Sequence, residues 1–308
     1  MNASDNLMIR ATPDGAPVEQ DLEVEVTPIS RRHEFEEMLL NLGTPFARGD
    51  DYAIFNGDCV ELLSALPTGS VDLTFTSPPY NIGKEYEKVL ALDEYLAWCE
   101  KWIALAHAAT RDNGALVLNV GYISIEGLAK SIPLPYLLWQ RIPFFLQQEI
   151  VWNYGAGVAG KKFLSPRNEK LLWYIKDEQT YCFNLDDIRD PDVAYPNQKK
   201  NGKLRCNTIG KNPSDVWQIA KVTSGQGRAS KERTPHPAQF PFDLCERVTK
   251  GFSSKGAVLL DPFLGSGSSA EAAISNGRFS IGFELRKDYC NIAARRLKDA
   301  AAASASLF

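Results

Sequence analysis

The stretch VLLDPFLGSGSS, from Val258 to Ser269, combines an apolar strand, a glycine-rich turn and the start of a helix. In an α/β sheet such a turn lies at the carboxyl end of a strand, which is where these sheets bind ligands. Gly265 and Gly267 let the backbone approach a ligand closely, because glycine has no side chain. Free N–H groups at the start of the following helix favour an anion. The stretch therefore predicts a ligand site.

The spacing of the glycines narrows the kind of ligand. It matches neither GxGxxG nor GxxxxGK[ST], so a dinucleotide or nucleoside triphosphate site is not supported. The later strand FSIGFEL contains Glu284 near its end, where an acidic side chain can accept hydrogen bonds from ribose hydroxyls. S-adenosylmethionine fits both features, since its carboxylate replaces a pyrophosphate. The alternative interpretation is a helix-capping turn followed by a surface glutamate.

Strand and helix patterns alternate along much of the chain around this stretch. Seven β-rich runs predict strands, at residues 52–56, 71–76, 115–120, 146–152, 170–175, 257–260 and 279–284. Helical spacing of apolar residues predicts helices at 31–43, 92–110, 241–250, 268–276 and 287–300. The predicted fold class is therefore α/β, a mostly parallel sheet covered by helices on both faces.

Composition argues against several other classes. The sequence has no run of about twenty apolar residues and no basic start followed by an apolar core, so neither a membrane segment nor a secretory signal is expected. The six cysteines form no CxxC pair, which argues against a zinc site and is typical of reduced thiols in the cytoplasm. We expect a cytoplasmic protein without a bound metal.

The formal net charge of −4 conceals a local excess of positive charge. Residues 161–235 contain fifteen Lys/Arg against nine Asp/Glu, so the remainder of the chain is acidic. A basic segment on an acidic body is a candidate phosphate-contacting face. A solvated, loop-rich insertion explains the same charges equally well at this point.

A second motif, FTSPPYNIG at Phe75 to Gly83, follows the predicted strand 71–76. Ser77-Pro78-Pro79-Tyr80, taken with DPFLGSG at 261–267, resembles the motif pair of the exocyclic-amino DNA methyltransferases. Members of that family have [DNS]-PP-[YFW] as the catalytic motif and FxGxG as the cofactor motif. The catalytic motif comes first here, which resembles the order of the β class.

Further segments agree with this resemblance in their order along the chain. They are Asn56-Gly57-Asp58-Cys59, Asp215-Val216-Trp217, His236-Pro237-Ala238-Gln239 and Gly282-Phe283-Glu284, and the resemblance spans residues 52–300. It implies the Rossmann-like fold of S-adenosylmethionine-dependent methyltransferases, circularly permuted. The sheet would be mostly parallel and seven-stranded, with helices on both faces and an inserted target-recognition region.

The SPPY motif also has a physical rationale in such an enzyme. An exocyclic amine of cytosine or adenine is a poor nucleophile, because its lone pair is delocalised into the ring. Acceptors for both of its N–H bonds would favour a tetrahedral, more reactive nitrogen, and Ser77 Oγ and the Pro78 carbonyl are the expected pair. Pro78 and Pro79 stiffen the loop. Tyr80 would offer a ring on which the flipped base stacks.

The first residue of the motif bears on the identity of the base. In this family serine there is associated mostly with cytosine N4 and aspartate with adenine N6, so Ser77 favours N4-methylcytosine. Adenine N6 and an RNA target remain alternatives. No cysteine follows a proline, which argues against a cytosine-C5 enzyme. A DNA-binding protein on an inactive methyltransferase scaffold is a competing class, and a nicotinamide oxidoreductase is disfavoured by the missing GxGxxG.

The resemblance implies a set of residues around the cofactor. Asp58 and Phe263 would lie near its adenine, and the turn from Asp261 would line its methionine end. The full expected set is Asp58, His236, Gln239, Asp261, Phe263, Gly265, Ser266, Gly267, Ser268, Ser269 and Glu284. Trp152 either frames the flipped base or is a core tryptophan.

The resemblance also divides the chain. Residues 1–45 would be an N-terminal arm with a short helix, 46–178 the catalytic half, 179–235 the target-recognition region, 236–300 the cofactor-binding half and 301–308 a flexible tail. The glycine-containing stretch 155–162 is expected to be a loop that closes around DNA. The expected contacts of double-stranded DNA are Lys199, Lys200, Lys203, Arg205 and Lys211 with phosphates, and Arg228 and Arg233 with bases or the backbone. A homodimer and a cognate restriction endonuclease are compatible with the family, and the sequence selects neither.

Overall fold

The computed structural model describes residues 28–85, 87–155, 159–162, 164–223 and 230–305. The expected arm before residue 28, the candidate DNA contact Arg228 and the last three residues of the expected tail lie outside this range. The expected loop at 155–162 is described only in part.

The described chain alternates between helices and strands. The helices are α1 Pro28–Leu42, α2 Cys59–Ser64, α3 Leu92–Ala109, α4 Leu134–Leu138, α5 Phe242–Phe252, α6 Ser268–Ser275 and α7 Lys287–Ala305, with a 3₁₀ helix at Leu185–Ile188. The strands are β1 Ala47–Arg48, β2 Tyr52–Asn56, β3 Val71–Thr76, β4 Thr110–Val120, β5 Tyr122–Ile125, β6 Ala129–Pro133, β7 Phe145–Asn153, β8 Asn168–Ile175, β9 Lys199–Lys200, β10 Lys203–Leu204, β11 Val216–Gln218, β12 Val258–Asp261 and β13 Phe279–Glu284.

The main sheet has the strand order β1-β2-β13-β12-β3-β4-β8-β7-β11. It is mostly parallel, as predicted; β8 runs antiparallel to both of its neighbours, and β1 runs antiparallel to β2. The expectation of seven strands was wrong, because nine strands of the described residues form this sheet. The seven predicted strands form its centre, and β1 and β11 extend its two edges with two and three residues.

Helices cover both faces of the sheet, and β4 shows how one strand serves both. Leu116 and Leu118 pack into the core beneath α1, α2 and α3, whereas Ala115 and Val117 pack into the core beneath α5 and α6. This alternation follows from the two-residue period of a strand. The predicted helices on both faces are therefore confirmed.

Two ends of the chain differ from the expected divisions. Helix α1 is docked on the body of the protein, since Arg31 pairs with Asp72 at 2.7 Å and Phe35 stacks on Phe279. Helix α7 continues to Ala305, so the expected flexible tail at 301–308 is helical for its first five residues. Alanine is the best helix former, and the run 300–303 extends the helix past the predicted end.

Candidate active site

Two neighbouring strands bring the two sequence motifs together. β3 and β12 pair in parallel, with Leu73 opposite Leu259 and Thr74 opposite Leu260. Both strands therefore end at the same edge of the sheet, where SPPY follows β3 and the glycine turn follows β12. Thr76 Oγ1 donates a 2.6 Å hydrogen bond to Asp261 Oδ1 across the two ends. The motifs share one cavity as a result.

Most of the predicted catalytic and cofactor residues line this cavity. The lining includes Ser77, Pro78, Pro79, Tyr80, Trp152, His236, Gln239, Asp261, Phe263, Gly265, Ser266, Ser268, Ser269 and Glu284. Asp58 and Gly267 do not line it. Asp58 caps α2, its Oδ1 accepting a 2.8 Å hydrogen bond from the Val60 N–H. Gly267 lies behind the turn, where a Cβ would come within 3.1 Å of Ala293.

Glu284 fixes the glycine turn. Its Oε2 accepts a 2.9 Å hydrogen bond from the Gly265 N–H, and its Oε1 accepts one of 2.8 Å from the Arg286 N–H. Burial raises the pKa of this carboxyl, and the two backbone donors act against that rise. Glu284 is thus a partly buried wall residue, unlike the surface glutamate of the alternative interpretation.

The backbone of the turn passes close to the His236 ring at Gly265. Gly265 has φ +53°, and a Cβ there would lie 2.9 Å from the His236 ring. Ser266, Ser268 and Ser269 are buried around the start of α6, where the N-cap residue Gly267 provides no side-chain cap. Hydroxyls and uncapped N–H groups suit a carboxylate. These residues fit a nucleoside cofactor that has a carboxylate end.

His236 and Gln239 hold the segment opposite the turn. The His236 ring packs edge-on against Tyr289 at 4.4 Å, and burial lowers its pKa to about 4, with Lys84 and Arg286 acting in the same direction. Its imidazole is therefore neutral at neutral pH. Gln239 Oε1 accepts hydrogen bonds from the Thr234 N–H and hydroxyl, each 2.8 Å long. The Gln239 amide therefore stabilises the conformation of this segment by hydrogen bonds within it.

The SPPY loop is held by several hydrogen bonds. Tyr95 donates a 2.7 Å hydrogen bond to the Pro79 carbonyl, and Glu87 accepts from the N–H groups of Asn81, Ile82 and Lys84. Asn81 has φ +60°, a conformation that asparagine tolerates better than most residues. The acceptors of the motif are therefore held in place by more than the two prolines.

Three residues that the sequence analysis missed surround Ser77 and Tyr80. Asn119 is the residue before the last one of β4, Glu169 lies on β8, and Lys221 follows β11. Asn119 Nδ2 is 2.5 Å from Tyr80 Oη and 2.8 Å from Glu169 Oε2, and Lys221 Nζ pairs with Glu169 Oε1. A polar residue ending an apolar strand run was the one available signal, at Asn119. Tyr80 was expected to act through its ring, yet its hydroxyl also takes part in this network.

Trp152 combines the two interpretations left open by the sequence. It is 2% exposed, its Nε1 donates a 2.7 Å hydrogen bond to the Ile219 carbonyl, and its ring packs edge-on against Tyr154. It nevertheless contributes to the cavity wall. It is a core tryptophan that borders the candidate site.

The described lysines and arginines among the candidate DNA contacts do not line the cavity. Lys199, Lys200 and Lys203 are exposed on the β9–β10 hairpin. Arg205 donates to Gln198 Oε1 at 3.1 Å, and Lys211 pairs with Asp190 at 3.2 Å. Arg233 is exposed in the segment that precedes His236. Among the described residues, the three hairpin lysines form no ion pair with an acidic side chain.

Two kinds of feature are absent from the described residues. None of the described helices combines the length and the apolar composition that a membrane span requires. Nor does this part of the chain contain a group of three or more His, Cys, Asp or Glu side chains arranged to hold a metal ion.

Comparison with known proteins agrees with the motifs. The model of the DNA methylase family with N6 and N4 specificity matches residues 71–295. The chain is 56% identical over 257 residues to the Type II methyltransferase M.ScaI of Streptomyces caespitosus, covering 83% of this chain and 84% of that protein. It is 31% identical over 253 residues to the DNA adenine methyltransferase YhdJ of Escherichia coli K12, covering 79% and 82% of the two chains.

Solved structures share the fold. The PvuII DNA methyltransferase, described as cytosine-N4-specific, superposes with a TM-score of 0.65 at 20% identity, over 84% of this chain and 93% of that one. The complex of M1.HpyAVI with S-adenosylmethionine superposes with a TM-score of 0.53 at 23% identity, over 80% and 98%.

Proposed function

Because this chain belongs to the N6/N4 family of DNA methylases, we propose that it methylates the exocyclic N4 of a flipped cytosine in double-stranded DNA. The observation that carries the choice of base is Ser77, an uncharged residue at the first position of the catalytic motif, lining the cavity. S-adenosylmethionine is the cofactor, and it supplies the methyl group as an electrophile bound to a positively charged sulfur.

The cofactor residues fall into groups according to the part of S-adenosylmethionine that each would contact. Glu284 would accept from the ribose hydroxyls, and Phe263 would pack near the adenine. Ser266, Ser268 and Ser269, with the uncapped start of α6, would meet the carboxylate. His236 would contribute a neutral imidazole, whose pKa is about 4. All residues of the expected cofactor set line the same cavity, with the exception of Asp58 and Gly267.

The catalytic residues would orient the amine. Ser77 Oγ and the Pro78 carbonyl would accept its two N–H bonds and localise the lone pair on nitrogen. The 2.7 Å hydrogen bond from the Tyr95 hydroxyl to the Pro79 carbonyl keeps the loop rigid. Tyr80 would stack on the base, which must leave the duplex to reach the cavity.

Adenine N6 is the second candidate. The similarity to a DNA adenine methyltransferase, at 31% identity, favours it. A hydroxyl is a weaker hydrogen-bond acceptor than a carboxylate. Serine and aspartate at the first motif position therefore need not be equally suited to cytosine N4 and adenine N6. We rank cytosine first because Ser77 occupies the motif position that varies with the base.

A role in restriction-modification is part of the proposal. The Type II methyltransferase M.ScaI is similar over 83% of this chain, which supports a partner endonuclease that cleaves the same unmethylated site. Residues 179–235 would read that site. Single-molecule sequencing of plasmid DNA from cells that produce the protein would give the methylated motif, and a motif shared with a neighbouring endonuclease would support the role.

Nucleoside mass spectrometry tests the target base. The purified protein would be incubated with S-adenosylmethionine and unmethylated genomic DNA, and the digest compared with that of Ser77→Ala. N4-methylcytosine in the first digest alone is the expected result. N6-methyladenine would overturn the choice of base and keep the family chemistry. Bound cofactor without any methylated nucleoside would favour RNA or an inactive scaffold.

A further inference from the structure

One wall of the cavity connects two residues of the proposed reaction, Ser77 and Tyr80, to a carboxylate that the reaction does not use. Ser77 Oγ lies 2.9 Å from Tyr80 Oη, and Tyr80 Oη lies 3.3 Å from Glu169 Oε2. A carboxylate thus lies two hydrogen bonds away from the hydroxyl expected to meet the amine. The Glu169 side chain is 15% exposed and borders the cavity.

We propose that Glu169 accepts the proton that the target amine releases, through Tyr80 and Ser77. The proposal rests on the DNA methyltransferase activity and not on the choice of base, because cytosine N4 and adenine N6 must each lose one proton. It adds a proton acceptor to a motif otherwise explained by hydrogen-bond acceptors alone.

The transfer balances in atoms and electrons. The nitrogen–methyl bond forms while the carbon–sulfur bond of the donor breaks, and the electron pair of that bond goes to sulfur. One N–H bond of the amine breaks, its electron pair stays on nitrogen, and its proton moves to Ser77 Oγ. The Ser77 proton moves to Tyr80 Oη and the Tyr80 proton to Glu169. Both hydroxyls are restored, and the carboxylate becomes a neutral carboxylic acid.

Asn119 sets the direction of the chain. Its Nδ2 donates to Tyr80 Oη at 2.5 Å and to Glu169 Oε2 at 2.8 Å. A tyrosine hydroxyl has one proton to donate, and either oxygen of the Ser77–Tyr80 pair can be the donor of their 2.9 Å bond. A charged carboxylate attracts the Tyr80 proton more strongly than the neutral Ser77 Oγ, which leaves Ser77 as the donor to Tyr80. The Glu169 carboxylate at 3.3 Å is a stronger acceptor than the Asn119 carbonyl at 3.4 Å, because it is charged. The protons therefore point from Ser77 toward Glu169.

Lys221 orients Glu169 at the end of the hydrogen-bonded chain. It pairs with Glu169 Oε1 and leaves Oε2 to Tyr80 and Asn119. Its ammonium also lies 3.8 Å from the centroid of the Tyr154 ring, which fixes its position. The ion pair therefore holds the Glu169 carboxylate with Oε2 on the side of Tyr80.

Two variants test the relay. Glu169→Gln keeps the size of the side chain and an oxygen for Asn119, but it cannot take up a proton in the same way. Tyr80→Phe keeps the ring and removes the connecting oxygen. We expect both to slow single-turnover methylation by about 10²-fold at saturating cofactor and DNA. We also expect a smaller solvent deuterium isotope effect, with dissociation constants for cofactor and DNA within about twofold of wild type, as expected for a group that acts on the chemical step.

Glu149→Gln is the matched control. Glu149 lies on the neighbouring strand β7 and pairs with Lys170 at 3.0 Å, but it does not line the cavity. This variant should methylate at the wild-type rate. Circular dichroism would establish that each variant is folded; if Glu169→Gln is not, Tyr80→Phe decides.

The outcomes separate the relay from the activity itself. A wild-type rate and isotope effect in either variant would overturn the relay, and so would a loss confined to cofactor or DNA binding, which would make Glu169 a purely positioning residue. A wild-type protein that yields no methylated nucleoside would instead refute the methyltransferase function, because the variants then have no rate to compare.

Discussion

Thr76 donates a 2.6 Å hydrogen bond to Asp261, and the two residues end neighbouring strands that are 185 positions apart in the chain. SPPY follows the first residue and the glycine turn follows the second. Both are buried, and burial raises the pKa of the Asp261 carboxyl. Its hydrogen bonds from Thr76 and Ser269 act against that rise. The bond thus joins the catalytic motif to the cofactor motif inside the protein.

Thr76→Val removes this bond while nearly keeping the shape of the side chain. We expect the free energy of unfolding in urea to fall by about 1–3 kcal/mol, because a buried carboxylate oxygen loses a donor. Thr74→Val is the control on the same strand, since Thr74 Oγ1 is buried without a hydrogen-bond partner among the described residues. Removal of this hydroxyl should leave the free energy of unfolding unchanged or raise it. Equal losses in the two variants would contradict the role of the Thr76–Asp261 bond.

Gly265→Ala should impair cofactor binding. The residue has φ +53°, and the added Cβ would lie 2.9 Å from the His236 ring, which itself packs against Tyr289. Because His236 must shift into the cavity wall, we expect affinity for S-adenosylmethionine to fall by about tenfold or more, or about 1.4 kcal/mol, in titration calorimetry.

Gly277→Ala separates this contact from backbone strain. Gly277 has φ +74° with nothing within 4 Å of an added Cβ. It should cost about 1 kcal/mol of stability from the left-handed backbone alone and leave cofactor affinity unchanged. Equal losses of affinity in the two variants would mean that strain, rather than the contact with His236, decides binding.

The stability of the protein should fall in mild acid because of His236. Its pKa is lowered from 6.5 to about 4, chiefly by burial. The folded protein therefore binds fewer protons than the unfolded chain between these values, so stability present above pH 6.5 is lost as the pH falls toward 4. Through His236 alone, the free energy of unfolding should be about 2 kcal/mol lower at pH 5 than at pH 8.

His236→Gln should remove most of that difference. Urea unfolding at pH 5 and pH 8 would measure it for both proteins. At pH 8 the imidazole is neutral in the folded and unfolded states, so any remaining difference there reflects packing against Tyr289. A variant that keeps the wild-type loss of stability at pH 5 would exclude His236 as its source.

The central sheet was predictable because its strands are apolar and bounded by turn residues. Runs 71–76 and 279–284 match β3 and β13 residue for residue. The edge strands β1 and β11 are two and three residues long, too short for any periodicity. They exist because a neighbouring strand offers backbone partners, such as Trp152 opposite Trp217.

The candidate site was predictable only where a motif contains several residues in a row. SPPY and the glycine turn are such motifs. Glu169 and Lys221 are single charged residues in otherwise unremarkable stretches. Strand order and register bring Glu169 to Tyr80 and Lys221 to Glu169, with Glu169 opposite Trp152. Nothing local in the sequence specifies that pairing. Asp58 shows the converse, since its motif was recognised but its carboxylate caps α2.

The β9–β10 hairpin should contact phosphates without reading sequence. Asn201 and Gly202 both have positive φ and form its turn, which presents Lys199, Lys200 and Lys203 on exposed backbone. Lys199→Ala should weaken binding to every DNA duplex alike, and the slope of log affinity against log salt should become shallower by about 1. Lys101→Ala, an exposed lysine on α3 outside the recognition region, should leave the slope unchanged. Weaker binding to the methylated site alone would instead make Lys199 a base contact, because only base contacts distinguish sequences.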